Sequence, residues 1–345
     1  MRSFLLAAAL LFLTLLPATL RAPVFAQEAP SPSGPPPASD APPPPAEDHS
    51  VATLNINVNL VNLYFSARDK DGFITTLAKS DCSVTEDKVP QTIKNFTQEK
   101  NLPLTIGLLL DTSGSQVNVL PLEKESGATF LRDVLTPKDE AFLISFDINV
   151  DLLSDYTNRA SEISRAMNKA QINTGATYGS VTGNGNPRGT LLYDAVFLAA
   201  HDKLSMEAGR KVLVLLTDGG DQGSQETLKT ATEAAQKANA IVYVILIADR
   251  GFYGGAGLIY SGDSDMQRLA TDTGGRVINV GNNGKRLEDA FNQIQDELRT
   301  QYLLSYTPTN ATADGTFRKI ALNCGKNLKI QTRNGYYAIS ATDQQ

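Results

Sequence analysis

One carboxylate and two serine hydroxyls stand within five residues in Asp111-Thr112-Ser113-Gly114-Ser115, directly after the apolar run Leu104-Thr105-Ile106-Gly107-Leu108-Leu109-Leu110. Oxygen is the only donor they offer, and hard divalent cations such as Mg²⁺ prefer it. A second apolar run, Leu213-Val214-Leu215-Leu216, ends in Thr217-Asp218-Gly219-Gly220 and supplies another carboxylate in Asp218. A third segment, Gly189-Thr190-Leu191-Leu192-Tyr193-Asp194, sets the Thr190 hydroxyl where a helix begins. Ligands of open α/β sheets bind beyond the carboxyl ends of the strands. Asp111, Ser113, Ser115, Thr190 and Asp218 are therefore the candidate metal ligands. Thr174 and Thr177 compete with Thr190, which alone directly precedes the Leu-Leu-Tyr-Asp helix start. Two plainer readings stand beside this one: Ser113 and Ser115 as caps of a helix starting near Gln116, and Asp218 as cap of one starting near Ser224. Asp194 and Asp221 read as solvated or capping residues.

A Mg²⁺-dependent hydrolase or phosphotransferase with Asp111 as nucleophile is the competing chemistry. It needs an acid or base nearby and a phosphate cradle. The chain has only His49 and His201, and no Gly-x-x-x-x-Gly-Lys or Gly-x-Gly-x-x-Gly motif follows a first strand. No catalytic residue is assigned.

Positioning these loops requires an alternation of strands and helices. Buried strands are expected at Leu104 to Leu110, Ala141 to Phe146, Val212 to Leu216, Ile241 to Ile247 and Arg276 to Val280. Helices are expected at Gln116 to Leu135, Arg159 to Asn168, Leu191 to Leu204, Ser224 to Ala238, Ser264 to Asp272 and Lys285 to Arg299. That spacing predicts an α/β fold, a doubly wound and mostly parallel sheet with helices on both faces, over residues 102–300. Short β segments flank it. Residues 51–101 carry the alternation Asn55 to Leu63, a turn at Asp69-Lys70-Asp71-Gly72, and strands Ser83 to Glu86 and Gln91 to Phe96. Residues 301–345 carry Tyr302 to Tyr306, Phe317 to Asn323, Leu328 to Thr332 and Tyr336 to Ile339. Each flank is too small for its own core, so the two are expected to join in one β sandwich from which the α/β domain emerges as an insertion.

Arg2, the apolar stretch Phe4 to Leu16 and the small residue closing Val24-Phe25-Ala26 form a secretory signal pattern, with cleavage after Ala26. Residues 27–50 hold nine prolines and read as an extended spacer. Loss of Met1 to Ala26 removes two arginines and no acids, taking the formal charge from −6 to −8. An acidic chain without a basic cluster is a poor nucleic-acid binder. No later apolar run approaches the length of a spanning helix. An exported chain meets oxidising conditions, so Cys82 and Cys324 can pair, or remain two small buried thiols.

In the order Asp111-Thr112-Ser113-Gly114-Ser115, Gly189-Thr190-Leu191-Leu192-Tyr193-Asp194, Thr217-Asp218-Gly219, the chain resembles a von Willebrand factor type A (VWA) domain. The resemblance implies a metal-ion-dependent adhesion site (MIDAS) that holds Mg²⁺ or Mn²⁺ on these five residues and leaves one position for a partner's Asp or Glu. It makes the protein a periplasmic or secreted adhesion-type module and not an enzyme, with an envelope scaffold carrying a structural metal as the alternative. The flanks resemble those of exported acidobacterial VWA-domain proteins, through Val84-Thr85-Glu86-Asp87, Ile93-Lys94-Asn95-Phe96, Gln301 to Pro308 and Arg333-Asn334-Gly335-Tyr336-Tyr337. Cys82 stands where that family usually has an aromatic residue, which argues against a bonded pair.

Overall fold

The computed structural model describes residues 60–99, 102–173, 189–247 and 263–338. The expected signal and spacer, Asn55 to Asn59, Thr174, Thr177 and His49 lie outside them. The described chain opens with β1 (Val61–Arg68), β2 (Cys82–Glu86), β3 (Val89–Gln91) and β4 (Ile93–Gln98). The alternating part follows with β5 (Leu104–Asp111), α1 (Leu120–Val134), β6 (Glu140–Phe146), β7 (Val150–Thr157), α2 (Ala160–Met167) and α3 (Leu192–Leu198). It continues through β8 (Arg210–Thr217), α4 (Leu228–Lys237), β9 (Ala240–Leu246), α5 (Asp263–Thr273), β10 (Val277–Asn279) and α6 (Gly284–Thr300). Four strands close it: β11 (Tyr302–Tyr306), β12 (Phe317–Cys324), β13 (Lys329–Thr332) and β14 (Gly335–Tyr337).

Six strands form one sheet in the order β10-β9-β8-β5-β6-β7, parallel except for β7. Every residue of β5, β8 and β9 is buried, as sequences apolar on both sides demand. One face packs Ile106, Leu108, Leu110 and Val214 against α1, α2 and α6. The other packs Leu109, Leu213 and Leu215 against α3, α4 and α5. Close layers explain Gly107: a Cβ there would stand 2.4 Å from Phe142 Cζ and 2.6 Å from Leu213 Cδ2.

Chain order and strand order together place the topological switch between β5 and β8, whose following helices cover opposite faces. The register sets Leu110 against Leu216, so Asp111 and Thr217 leave the sheet side by side. The expected parallel strands are all present. The edge strand β7 is additional, because its half-exposed VDLLSDYT sequence gives neither an apolar run nor clean alternation. Helix α1 starts later than expected, after a 3₁₀ turn at Gly114–Gln116. Pro121 sits in its first turn, the one helical position a proline tolerates.

The flanks pair as expected. Two further four-stranded sheets, β13-β1-β11-β4 and β14-β12-β2-β3, each mix strands from before and after the α/β part. They enclose one core that includes Leu63, Phe65, Val84, Tyr302, Leu304, Tyr306 and Ile320. Cys82 and Cys324 are register partners on β2 and β12 and are joined by a disulfide, so the reading as two free thiols is corrected.

Candidate metal centre

Asp111 is the last residue of β5 and is wholly buried. Its Oδ1 accepts the Ser113 backbone N–H at 3.0 Å, and its Oδ2 accepts the Thr217 hydroxyl at 2.6 Å. The Ser113 and Ser115 hydroxyls lie 3.1 Å apart. Neither serine caps a helix: the 3₁₀ turn has no side-chain cap and α1 begins only at Leu120. Asp218 does not cap α4, whose start is capped by Thr227. Instead Asp218 is buried, and its Oδ1 accepts Gly220 N–H at 3.2 Å around the turn that Gly219 makes at φ +87°. The capping readings of Ser113, Ser115 and Asp218 are thereby set aside.

Thr190 is joined to the Asp218 loop by paired backbone bonds with Gln222, Thr190 N–H to Gln222 O at 3.0 Å and the reverse at 2.9 Å. Asp147 holds this loop to the first one. It accepts the Thr112 hydroxyl at 2.9 Å and the Asn173 side-chain amide at 3.2 Å, while its carbonyl accepts Leu191 N–H at 2.7 Å. Thr217, Asp147 and Asn173 act across 106, 35 and 26 residues respectively, so the sequence alone assigns none of them a role of its own. Asp221 accepts Tyr193 N–H and the Ser224 hydroxyl, and Asp194 accepts Gln225 and Glu226 N–H; both brace loops. His201 is exposed, stacked on Phe197 and paired with Asp202.

Burial first, and then the charge of Asp218, push the Asp111 carboxyl up to about 7, against the pull of its hydrogen bonds with Ser113 and Thr217. Among the described residues no cationic side chain acts on Asp111 to offset this. Two carboxylates and three hydroxyls at neighbouring strand ends, short of positive charge, fit a hard divalent cation. Among the described residues no three of His, Cys, Asp and Glu converge closely enough to hold a metal by themselves, so the hydroxyls are needed.

Two further side chains belong to this region. Glu123 and Gln116 are buried, and neither the Glu123 carboxyl nor the Gln116 amide has a hydrogen-bond partner among the described residues. Burial, then Asp111, then Asp218 hold the Glu123 carboxyl well above the usual carboxylate range. Sequence did carry a signal for Glu123: it interrupts the buried stripe Leu120, Gly127, Phe130, Leu131 and Val134 on α1.

A six-stranded sheet with one antiparallel edge, helices on both faces and three loop motifs at its switch point decide the architecture. The α/β part has the doubly wound, mostly parallel architecture expected from the sequence. No protein-family model matches the sequence, and no curated protein matches it. Solved structures do. BatB from Bacteroides thetaiotaomicron is 17% identical at a TM-score of 0.42, covering 58% of this chain and 100% of BatB. The SpRpn10 VWA domain is 14% identical at 0.39, covering 56% and 95%. Proximal thread matrix protein 1 from the mussel byssus, with a zinc-occupied MIDAS motif, is 16% identical at 0.45, covering 61% of this chain and 48% of its own. Among the described residues no helix is long and apolar enough to cross a membrane.

Proposed function

We propose that this protein is an exported, metal-dependent binding module. Asp111, Ser113, Ser115, Thr190 and Asp218 hold Mg²⁺ or Mn²⁺, and a partner protein presents an Asp or Glu carboxylate to the cation. The observation that carries this reading is the pairing of two buried, mutually repelling carboxylates at the switch point, one of them fixed by Thr217 and Ser113 N–H. Burying a carboxylate is costly, and two that repel one another favour a cation between them. Five protein oxygens leave one position of an octahedral ion open. That open position is the one a carboxylate of the partner would fill.

Binding rather than catalysis is the reading supported by the surface position of His201 and by a donor set without a proton-transfer group besides the acids. Export rests on the Phe4 to Leu16 and Val24-Phe25-Ala26 pattern. Capture of a partner from envelope extract in Mg²⁺, its release by EDTA and its loss with Ser113→Ala are the expected results. Capture that survives both treatments would end the proposal, and a mature amino terminus at Met1 would end its export part.

A further inference from the structure

Helix α1 leaves the loop that carries Ser113 and Ser115 and runs back along β5. Gly127 marks where they touch: a Cβ there would lie 3.4 Å from Leu108 Cδ2. Glu123 is four residues nearer the start of α1, about 6 Å back along the helix axis. Leu110 and Asp111 lie two and three residues further along β5, about 7 to 10 Å. Helix and strand therefore set Glu123 at the level of the last turns of β5, on the inner side of the candidate metal centre. The charges of both Asp111 and Asp218 act on it.

Nothing structural explains the residue there. Leu120, Ser126, Gly127, Phe130, Leu131 and Val134 make the rest of the buried face, and the Glu123 side chain is fully buried with both oxygens unpaired. Gln116, on the turn just after Ser115, is buried with its amide unpaired at both ends. A buried polar group without a partner is destabilising, and a charged one more so. An apolar residue at either position would avoid that cost. Two such groups near two buried aspartates, with no cationic side chain among the described residues acting on Asp111 or Glu123, suit a positive, hydrated guest.

We propose that Glu123 is a further acidic group of this metal centre, accepting hydrogen bonds from water bound to the cation on its buried side, with the Gln116 amide completing that side. The absence of three converging acids among the described residues assigns Glu123 to the water shell and not to direct ligation. This rests on the metal-binding reading above and deepens it. A further oxygen group behind the ligands strengthens the hold on the cation before any partner arrives. Partner and metal then bind in separable steps.

The test is Mn²⁺ affinity, read from the electron paramagnetic resonance signal of free Mn²⁺ on titration of the full chain, together with thermal unfolding of the metal-free protein. Glu123→Gln is expected to weaken Mn²⁺ binding about 10–100-fold, the usual cost of losing a group behind the ligands. Its metal-free melting point should be unchanged or higher, because an unpaired buried carboxyl has been replaced. Glu123→Met gives the same affinity readout if the Gln variant does not fold. Affinity equal to wild type in either variant overturns the proposal, as does a weaker affinity matched by an equally weakened metal-free fold. Wild-type protein that binds Mn²⁺ no better than Asp111→Ala overturns the underlying metal site and this inference with it.

Discussion

Two buried glutamates on two helices of the same sheet face are treated in opposite ways. Glu297, on α6, accepts from Ser66 at 3.0 Å, Tyr243 at 2.9 Å, Gln331 at 2.8 Å and the Arg276 guanidinium at 2.9 Å. Its partners come from β1, β9, β13 and the segment just before β10, so one carboxylate fastens the α/β part to the β sheets beside it. Glu123, on α1, has no such partner and faces two other acids. A buried charge with its hydrogen bonds filled is a structural joint. A buried acid left unfilled, next to two more, is structure held ready for a ligand.

Glu297→Ala should have the largest effect. It strands Arg276 and Tyr243 in the interior, and a loss of about 3–5 kcal/mol is expected in chemical denaturation. Glu123→Gln in the same assay should lose nothing without metal; comparable losses would erase the distinction between the two residues. Breaking the Cys82–Cys324 bond comes next. It closes a loop spanning 242 residues and clamps strands from both flanks, and its loss is expected to cost about 2–5 kcal/mol on reduction or in Cys82→Ala with Cys324→Ala. Gly107→Ala should cost about 1–3 kcal/mol by overpacking against Phe142 and Leu213.

A further expected effect is a pH dependence. Folding raises the Asp111 carboxyl from 3.8 to about 7, so the folded protein binds this proton more tightly than the unfolded chain. Stability from this group is present below 3.8 and is lost as pH rises through that interval to about 7. Melting points of metal-free protein should fall across this window, and Asp111→Asn should flatten the profile. An unchanged slope in Asp111→Asn would show that Asp111 is not held under the proposed stress.

The order of elements was legible because the central strands are largely apolar runs, such as Val212 to Leu216 and Ile241 to Leu246, and such runs have few ways to assemble. The strands also announced Asp111 and Asp218, since a carboxylate just past a buried strand is conspicuous. What escaped was whatever depends on two distant segments meeting. Thr217 reads as one more strand residue until the register sets it against Asp111. Asp147 reads as a turn residue until Thr112, Asn173 and Leu191 converge on it. The disulfide was similarly open, since two cysteines 242 apart say nothing of strand pairing. Glu123 was different, because a glutamate in the middle of an apolar helical stripe breaks the local pattern and can be noticed without a structure.

Calorimetric titration of Mg²⁺ into wild-type protein and into Asp111→Ala is the most direct test of the metal centre. The expected result is saturable binding of one cation by the wild type and none by Asp111→Ala, with both proteins melting cooperatively when metal-free. Equal heats of binding in the two proteins, or none in either, would contradict it.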